Sequence, residues 1–328
     1  MSGLRRAFRF ARACAFAWSG AGRRARGQLD GSRAALLMYH RVVPAADAAR
    51  NAVEPGMFVT PETFERHLAW LADSFSVLPL HEIVARLAGD LPLPPRACAI
   101  TFDDGWRDNH DFALPALVRR GMPATIFVVT DRVGTEGSFW PDEVCRRMAS
   151  LSGAAQRALV AAVGAALHGD PVESLLSHLK QMREEARGRA LDRLRSETRD
   201  PSAGARELLD WSECDRLARA GVEIEAHGAT HAILTAVSRD EAERELRSAR
   251  ERLLERGHGR HGLLAYPSGA HDEAVRRIAS GAGYRAAVTT ESGLAHVESD
   301  PMALPRVALH DDVSRTRVEF LRAVSGSA

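Results

Sequence analysis

From Ala34 onward, short apolar runs rich in Val, Ile, Leu and Ala alternate with longer helical stretches. The runs are Ala35–Tyr39, Ala97–Phe102, Ala124–Val129, Val222–Ala226, Leu263–Tyr266, Ala286–Thr289 and Val307–Leu309. Nearly continuous apolar runs of this length fit parallel strands buried on both faces. The stretches between them carry readable helix starts. Thr60 followed by Pro61 is an N-cap with proline in the first turn, and Phe64, Leu68 and Leu71 form an apolar stripe behind it. Ser238 and Glu241 make a capping box for a helix running to about Arg256 and stopped by Gly257. Ser212 is expected to open a helix ending at Gly221, and Asp272 one ending near Gly281. This alternation predicts an α/β fold, a distorted (β/α) barrel of about seven parallel strands, in preference to an open sheet. No G-x-G-x-x-G follows the first strand and no P-loop is present, so nucleotide-binding open sheets lose support.

Residues 34–328 are therefore expected to form one domain. Within it, about 140–205 is Ala-, Arg- and Leu-rich, helical, and without a strand-like run. We read it as a helical insertion over one end of the barrel, either shaping a cleft or covering an edge. Residues 1–33 form a basic N-terminal segment. Its first 29 residues hold seven Arg and no acidic residue. Leu4, Phe8, Ala11, Ala15 and Trp18 recur at helical spacing, with Arg5, Arg6, Arg9 and Arg12 largely elsewhere on the wheel. That pattern suits a basic amphipathic helix on an anionic membrane surface. A disordered tail and a cleaved signal are the alternatives. The apolar core of such a signal, about Cys14 to Ala17, is shorter than the usual roughly 7–15 residues. The expectation is a cytoplasmic protein, peripheral at the inner membrane through residues 1–29.

The 328 residues are 45% hydrophobic and 27% charged, with a net charge of +1. That is a globular balance with no global field to attract nucleic acid, which is not expected as a partner. Cys14, Cys98, Cys145 and Cys214 make no C-x-x-C pair and are read as reduced structural residues.

In barrels of this kind working side chains sit where strands end at their C-terminal side. His40 follows the first run, Asp103 and Asp104 the second, His227 the fourth, and Pro267-Ser268-Gly269 the fifth. Two adjacent carboxylates at the end of a buried strand are costly unless a cation or other partner compensates them. His227 and His231 supply imidazoles at the same rim. Three ligands with a free carboxylate beside them are the equipment of a metal-dependent hydrolase.

These residues resemble a known family. Thr101-Phe102-Asp103-Asp104-Gly105 is similar to the first motif of the polysaccharide deacetylases with the NodB-homology domain, carbohydrate esterase family 4. His227 and His231 match the spacing of its second motif, H-[ST]-x-x-H, and Ala265-Tyr266-Pro267-Ser268-Gly269 resembles its third. Leu37-Met38-Tyr39-His40-Arg41-Val42 resembles the opening of the branch in which the motif order is permuted, which acts on exopolysaccharide or lipid-linked saccharide. The resemblance implies that Asp104, His227 and His231 bind one divalent ion, zinc, with cobalt, nickel or manganese as alternatives. It implies Asp103 as base and His40 as general acid in the removal of an N-acetyl group from an amino sugar, with release of acetate. His310 is the alternative acid. Ser268, Pro267, Trp211 and Arg306 are the expected substrate side, with Trp211 lining an acetyl pocket.

Three departures bear on this. Gly228 replaces the hydroxyl residue of the second motif, and Ser268 replaces the Tyr of the third. Ala265 replaces the third-motif Arg that steadies the catalytic Asp, and Arg306 is a candidate substitute. The competing readings are a deformylase or other amide hydrolase on a related saccharide, a non-catalytic carbohydrate-binding protein, and an iron oxygenase using the same ligand triad.

Overall fold

A computed structural model describes residues 29, 31–89, 91–200 and 205–325. The chain divides into two compact units. Among the described residues, one comprises those up to 43, 56–134 and those from 208 onward, and the other 44–55 and those from 135 to 207. The expected surface helix of residues 1–29 lies, but for Leu29, outside the described residues.

The first unit is a closed barrel of seven parallel strands: β1 (Arg33–Tyr39), β2 (Ala97–Phe102), β3 (Ala124–Val128), β4 (Val222–Ala226), β5 (Leu263–Ala265), β6 (Ala286–Ser292) and β7 (Leu304–Ala308). Neighbours pair in chain order from β2 to β7. The ring closes through β1, which pairs with β2 (Ala35↔Cys98 to Tyr39↔Phe102) and with β7 (Leu37↔Val307). Short strands at Ser76–Val77 and Ala295–His296 pair beside the starts of β2 and β1, the first parallel and the second antiparallel.

Alternation along each strand divides the core in two. Ala35, Leu37, Tyr39, Cys98, Ile100, Phe102, Ile126, Val128, Val222, Ile224 and Ala226 pack with apolar side chains of the helices, including Phe64, Leu68, Leu117, Leu217 and Leu246. The opposite set is smaller: Ala34, Leu36, Ala97, Ala99, Phe127, Ala265 and Val288. Leu80, Ile83 and Leu87 of the helix Leu80–Leu87 join this second set where the strands begin, and close that end of the barrel. Small interior residues suit the taper of a narrow barrel.

The helix starts behave as their chemistry demands. Thr60 accepts from Thr63 N, Asp272 from Val275 N and Ser238 from Glu241 N. Two expectations are corrected. The helix Trp211–Arg219 is opened by Asp210, which forms a full capping box with Glu213, and not by Ser212. The last strand begins at Leu304 instead of Val307, because Pro305 and the buried Arg306 interrupt its apolar signal.

The second unit is helical. Its helices Trp140–Ala149, Gly153–Ala162, Pro171–Gln181 and Glu184–Glu197 enclose a core of Val144, Met148, Val160, Leu175, Leu179 and Leu194. Ala45–Arg50 belongs to the same unit, and Lys180 pairs with Glu54 at 3.0 Å. No helix among the described residues is long and apolar enough to cross a membrane.

Candidate active site and metal centre

The C-terminal rim of the barrel brings together residues far apart in sequence. Asp104 Oδ1 lies 3.3 Å from His227 Nε2 and 3.4 Å from His231 Nε2. All three side chains are mostly buried. His227 Nδ1 lies 2.8 Å from the Ala265 carbonyl, which can only accept, so that nitrogen carries the proton. The lone pair of Nε2 then faces a carboxylate oxygen. Two acceptors at this distance need a cation between them or a second proton on the ring. Without a metal ion, burial disfavours the charged imidazole, but Asp104 and Asp103 outweigh it and raise the His227 pKa. His231 moves the other way, to about 4, chiefly through burial, and it keeps a neutral ring. Burial opposes ionisation of Asp104, yet His227, His40 and His231 hold it far below the usual carboxylate range. One carboxylate and two imidazoles converging on one point fit a tetrahedral divalent ion with a position left open.

Local backbone geometry makes the convergence possible. Of the five non-glycine residues with positive φ among the described residues, three are Asp104 (75°), His231 (72°) and Ser268 (56°). Strain of this kind persists where surrounding structure over-determines it and concentrates at working sites. Gly105 shares that conformation, and a Cβ there would meet Val128 Cγ1 at 2.9 Å. Gly228, in the place of a hydroxyl residue, has φ 77°.

Asp103 is held by a different partner. Arg306 Nη1 donates to its Oδ1 at 2.7 Å and Nη2 to its Oδ2 at 2.5 Å, while Arg306 Nε donates to the Thr289 carbonyl at 2.8 Å. This is a bidentate, fully buried pair, the strongest class of charge-assisted bond. Burial of Asp103 favours its neutral form, but Arg306, with His227 and His40, keeps its pKa lowered. Arg306 thus occupies the role vacated at Ala265. At 1% exposure it has no surface to offer a substrate, which corrects its placement on the substrate side. His40 Nε2 stands 3.9 Å from Asp103 Oδ2. His310 pairs instead with Asp312 at 3.3 Å.

Trp211 is also corrected. Its ring stacks on His258 at 6.2 Å and lies under Arg256, so its face is taken up by packing at the end of the helix Arg239–Glu255. The tryptophan of the site is Trp106, which donates Nε1–H to Asp104 Oδ2 at 2.9 Å and is covered by the Arg41 guanidinium at 3.9 Å. Arg41 pairs with Asp108, which also accepts from Val42 N, and Asn109 donates to the His40 carbonyl. The loop bearing His40 is thereby tied to the segment after Asp104. Glu245 anchors the loop between the two histidines. It accepts from Ala229 N at 3.1 Å, Thr230 N at 2.9 Å and Thr230 Oγ1 at 2.8 Å. Pro267 is buried against Gly228, and Ser268 is exposed at the rim.

The polysaccharide deacetylase family model matches residues 90–287, more than half of the chain. The chain belongs to the polysaccharide deacetylase family. Membership makes it a deacetylase by class, with a saccharide as substrate. The match begins after β1, so His40 lies outside it. The Bacillus subtilis (strain 168) protein YxkH, which carries the same family description, is 23% identical over 280 residues, spanning 85% of this chain and 72% of that protein. Among solved structures, the Streptococcus pyogenes deacetylase PplD in complex with acetate is similar in fold. Its TM-score is 0.60 at 18% identity, covering 89% of this chain and 98% of that one. IcaB from Ammonifex degensii gives a TM-score of 0.60 at 16% identity, covering 91% and 98%.

Proposed function

We propose that this polysaccharide deacetylase is a metal-dependent hydrolase that removes N-acetyl groups from amino sugars, in a polysaccharide or on a lipid-linked saccharide, and releases acetate. One observation carries the reading: Asp104, His227 and His231 aim three ligand atoms at one point, beside a second carboxylate that Arg306 keeps ionised. A divalent ion held by those three residues, zinc by its donor set, supplies Lewis-acid activation of water and of the amide carbonyl. The chain's own residues do the rest. Asp103 accepts a proton from the attacking water. His40, 3.9 Å from Asp103, donates one to the departing amine. One proton leaves the water for Asp103 and one passes from His40 to the nitrogen, so the proton on Asp103 must return to His40, directly or through solvent, before the next turnover. Acetate, the expected product, is the molecule with which PplD was solved.

The reading is tested by acetate release from N-acetylated oligosaccharides with and without chelator. Chelation is expected to abolish release and zinc to restore it; release that survives full metal removal contradicts the proposal. Asp103→Asn is expected to retain metal and lose roughly 10²–10⁴-fold in kcat. Near-normal turnover in that variant would remove Asp103 as base. The proposal extends to location: the basic residues 1–29 hold the enzyme at an anionic inner membrane surface, where lipid-linked saccharides are presented. Fractionation of the full chain beside one lacking residues 1–29 checks this, and identical distributions contradict it.

A further inference from the structure

A second cluster of ligand-type side chains stands at the opposite end of the barrel, where the strands begin. His81 lies in the first turn of the helix Leu80–Leu87, Glu223 is the second residue of β4, and His261 lies in the turn before β5. The three are 142 and 38 residues apart in sequence. One donor atom from each lies within 4.8 Å of the other two.

The arrangement is built around Glu223. Its Oε2 accepts from Thr125 Oγ1 at 2.6 Å, which fixes the carboxylate on the inner side of β3 and β4. Its Oε1 is met by two imidazoles, His81 through Nδ1 at close range and His261 through Nε2 at 3.7 Å. The two rings stack at 3.9 Å with an 11° angle between planes. Oε1 accepts from both rings only when each carries its proton on the nitrogen that faces it; a cation would take the place of both protons. The turn bearing His261 is itself held, because Glu225, two residues along β4, accepts from His261 N at 3.1 Å and Leu263 N at 2.9 Å. Anchored ligands of this kind are what a metal site requires beyond its donor atoms. The cluster also opens to solvent. The side chains of His81 and His261 are 40% and 38% exposed, and both line a cavity of about 490 Å³ shared with Arg285 and Leu304.

We propose that His81, Glu223 and His261 form a second divalent-cation site, distinct from the one at the C-terminal rim. Two imidazoles and one carboxylate select a zinc-class ion over calcium or magnesium. Its open position faces the cavity. The ion clamps the helix that closes the barrel to β4 and to the turn before β5. Working residues of such barrels gather at the C-terminal rim, so this site at the other end is structural and leaves deacetylation to that rim.

The test is equilibrium dialysis of the full chain against Zn²⁺ alone, with acetate release measured on the same preparations. The wild type is expected to retain two equivalents. His81→Gln, which keeps a hydrogen-bonding side chain beside Glu223, and the double variant His81→Ala with His261→Ala are each expected to lose one equivalent and keep deacetylase activity. His227→Ala is expected to lose one equivalent together with activity, and Zn²⁺ is expected still to raise its melting temperature. A melting temperature that Zn²⁺ leaves unmoved in His227→Ala, or a second equivalent that survives in both His81 variants, overturns the proposal. The His227→Ala arm reads the catalytic centre separately, so failure there is distinguishable from failure at His81.

Discussion

Both terminal nitrogens of Arg306 face the two oxygens of Asp103, and the pair is closed off from water. Arg306→Ala would leave a buried carboxylate without its counter-charge, a change that typically costs about 3–5 kcal/mol. We expect a denaturation midpoint lowered accordingly and severe loss of acetate release; a variant as stable as the wild type contradicts the bracing role. Trp106→Phe removes the N–H that orients Asp104 and trims the ring that Arg41 covers. Loss of such an outer partner is expected to weaken metal affinity roughly 10–100-fold, with activity largely recovered at saturating zinc. Unchanged metal affinity would contradict that role. The sequence announces Arg306 only indirectly, through the vacancy at Ala265. Trp106 follows the T-F-D-D-G motif directly, yet adjacency gives no side-chain direction, and its role depends on the positive φ of Asp104 and Gly105. Trp211 misleads for a related reason. It is the first residue of the helix that Asp210 caps, and its ring is directed to Arg256 and His258.

At the scale of elements, the ligands stand on turns that other elements hold in shape. Glu245, in the helix Arg239–Glu255, takes three hydrogen bonds from the loop between His227 and His231. Glu245→Gln exchanges a charged acceptor for a neutral one and is expected to weaken zinc binding at this site about tenfold while leaving the helix folded. Titration against zinc with far-ultraviolet circular dichroism checks both halves, and unaltered affinity contradicts the positioning role. Strand identity is readable from apolar runs because parallel strands are covered on both faces. β7 is the exception, since its first half spends Pro305 and Arg306 where the others carry Val or Ile. Glu223 and Glu225 in β4 are likewise opaque in sequence: their use as anchors for His81, Thr125 and the turn at His261 follows only from closure of the barrel.

The first unit as a whole carries its own acid sensitivity. His67 is fully buried between β1 and the C-terminal segment, with Tyr39 OH 3.1 Å from Nδ1 and the Ser314 carbonyl 2.6 Å from Nε2. The carbonyl requires the proton on Nε2, so Tyr39 donates to Nδ1. Burial lowers the His67 pKa to about 4. Unfolded, the ring titrates near 6.5, so between these values the unfolded chain binds a proton that the native ring does not. Stability is therefore full above pH 6.5 and falls as pH drops towards 4, by up to about 3 kcal/mol from this residue. Urea midpoints across that window should fall less steeply in His67→Phe than in the wild type; parallel curves contradict the assignment. The barrel, the seven strands, the three loop-borne ligands and the carboxylate beside them follow from a pattern that a sequence displays openly. The supports that hold them do not, because each depends on where the folded backbone directs a side chain, whether across 203 positions, as from Arg306 to Asp103, or across two, as from Trp106 to Asp104. The account rests on one cation at the C-terminal rim. Anomalous diffraction at the zinc edge, from crystals grown with zinc, tests it most directly. It predicts a peak about 2.0–2.2 Å from Asp104, His227 and His231 together; crystals with those three side chains ordered and no peak between them would contradict it.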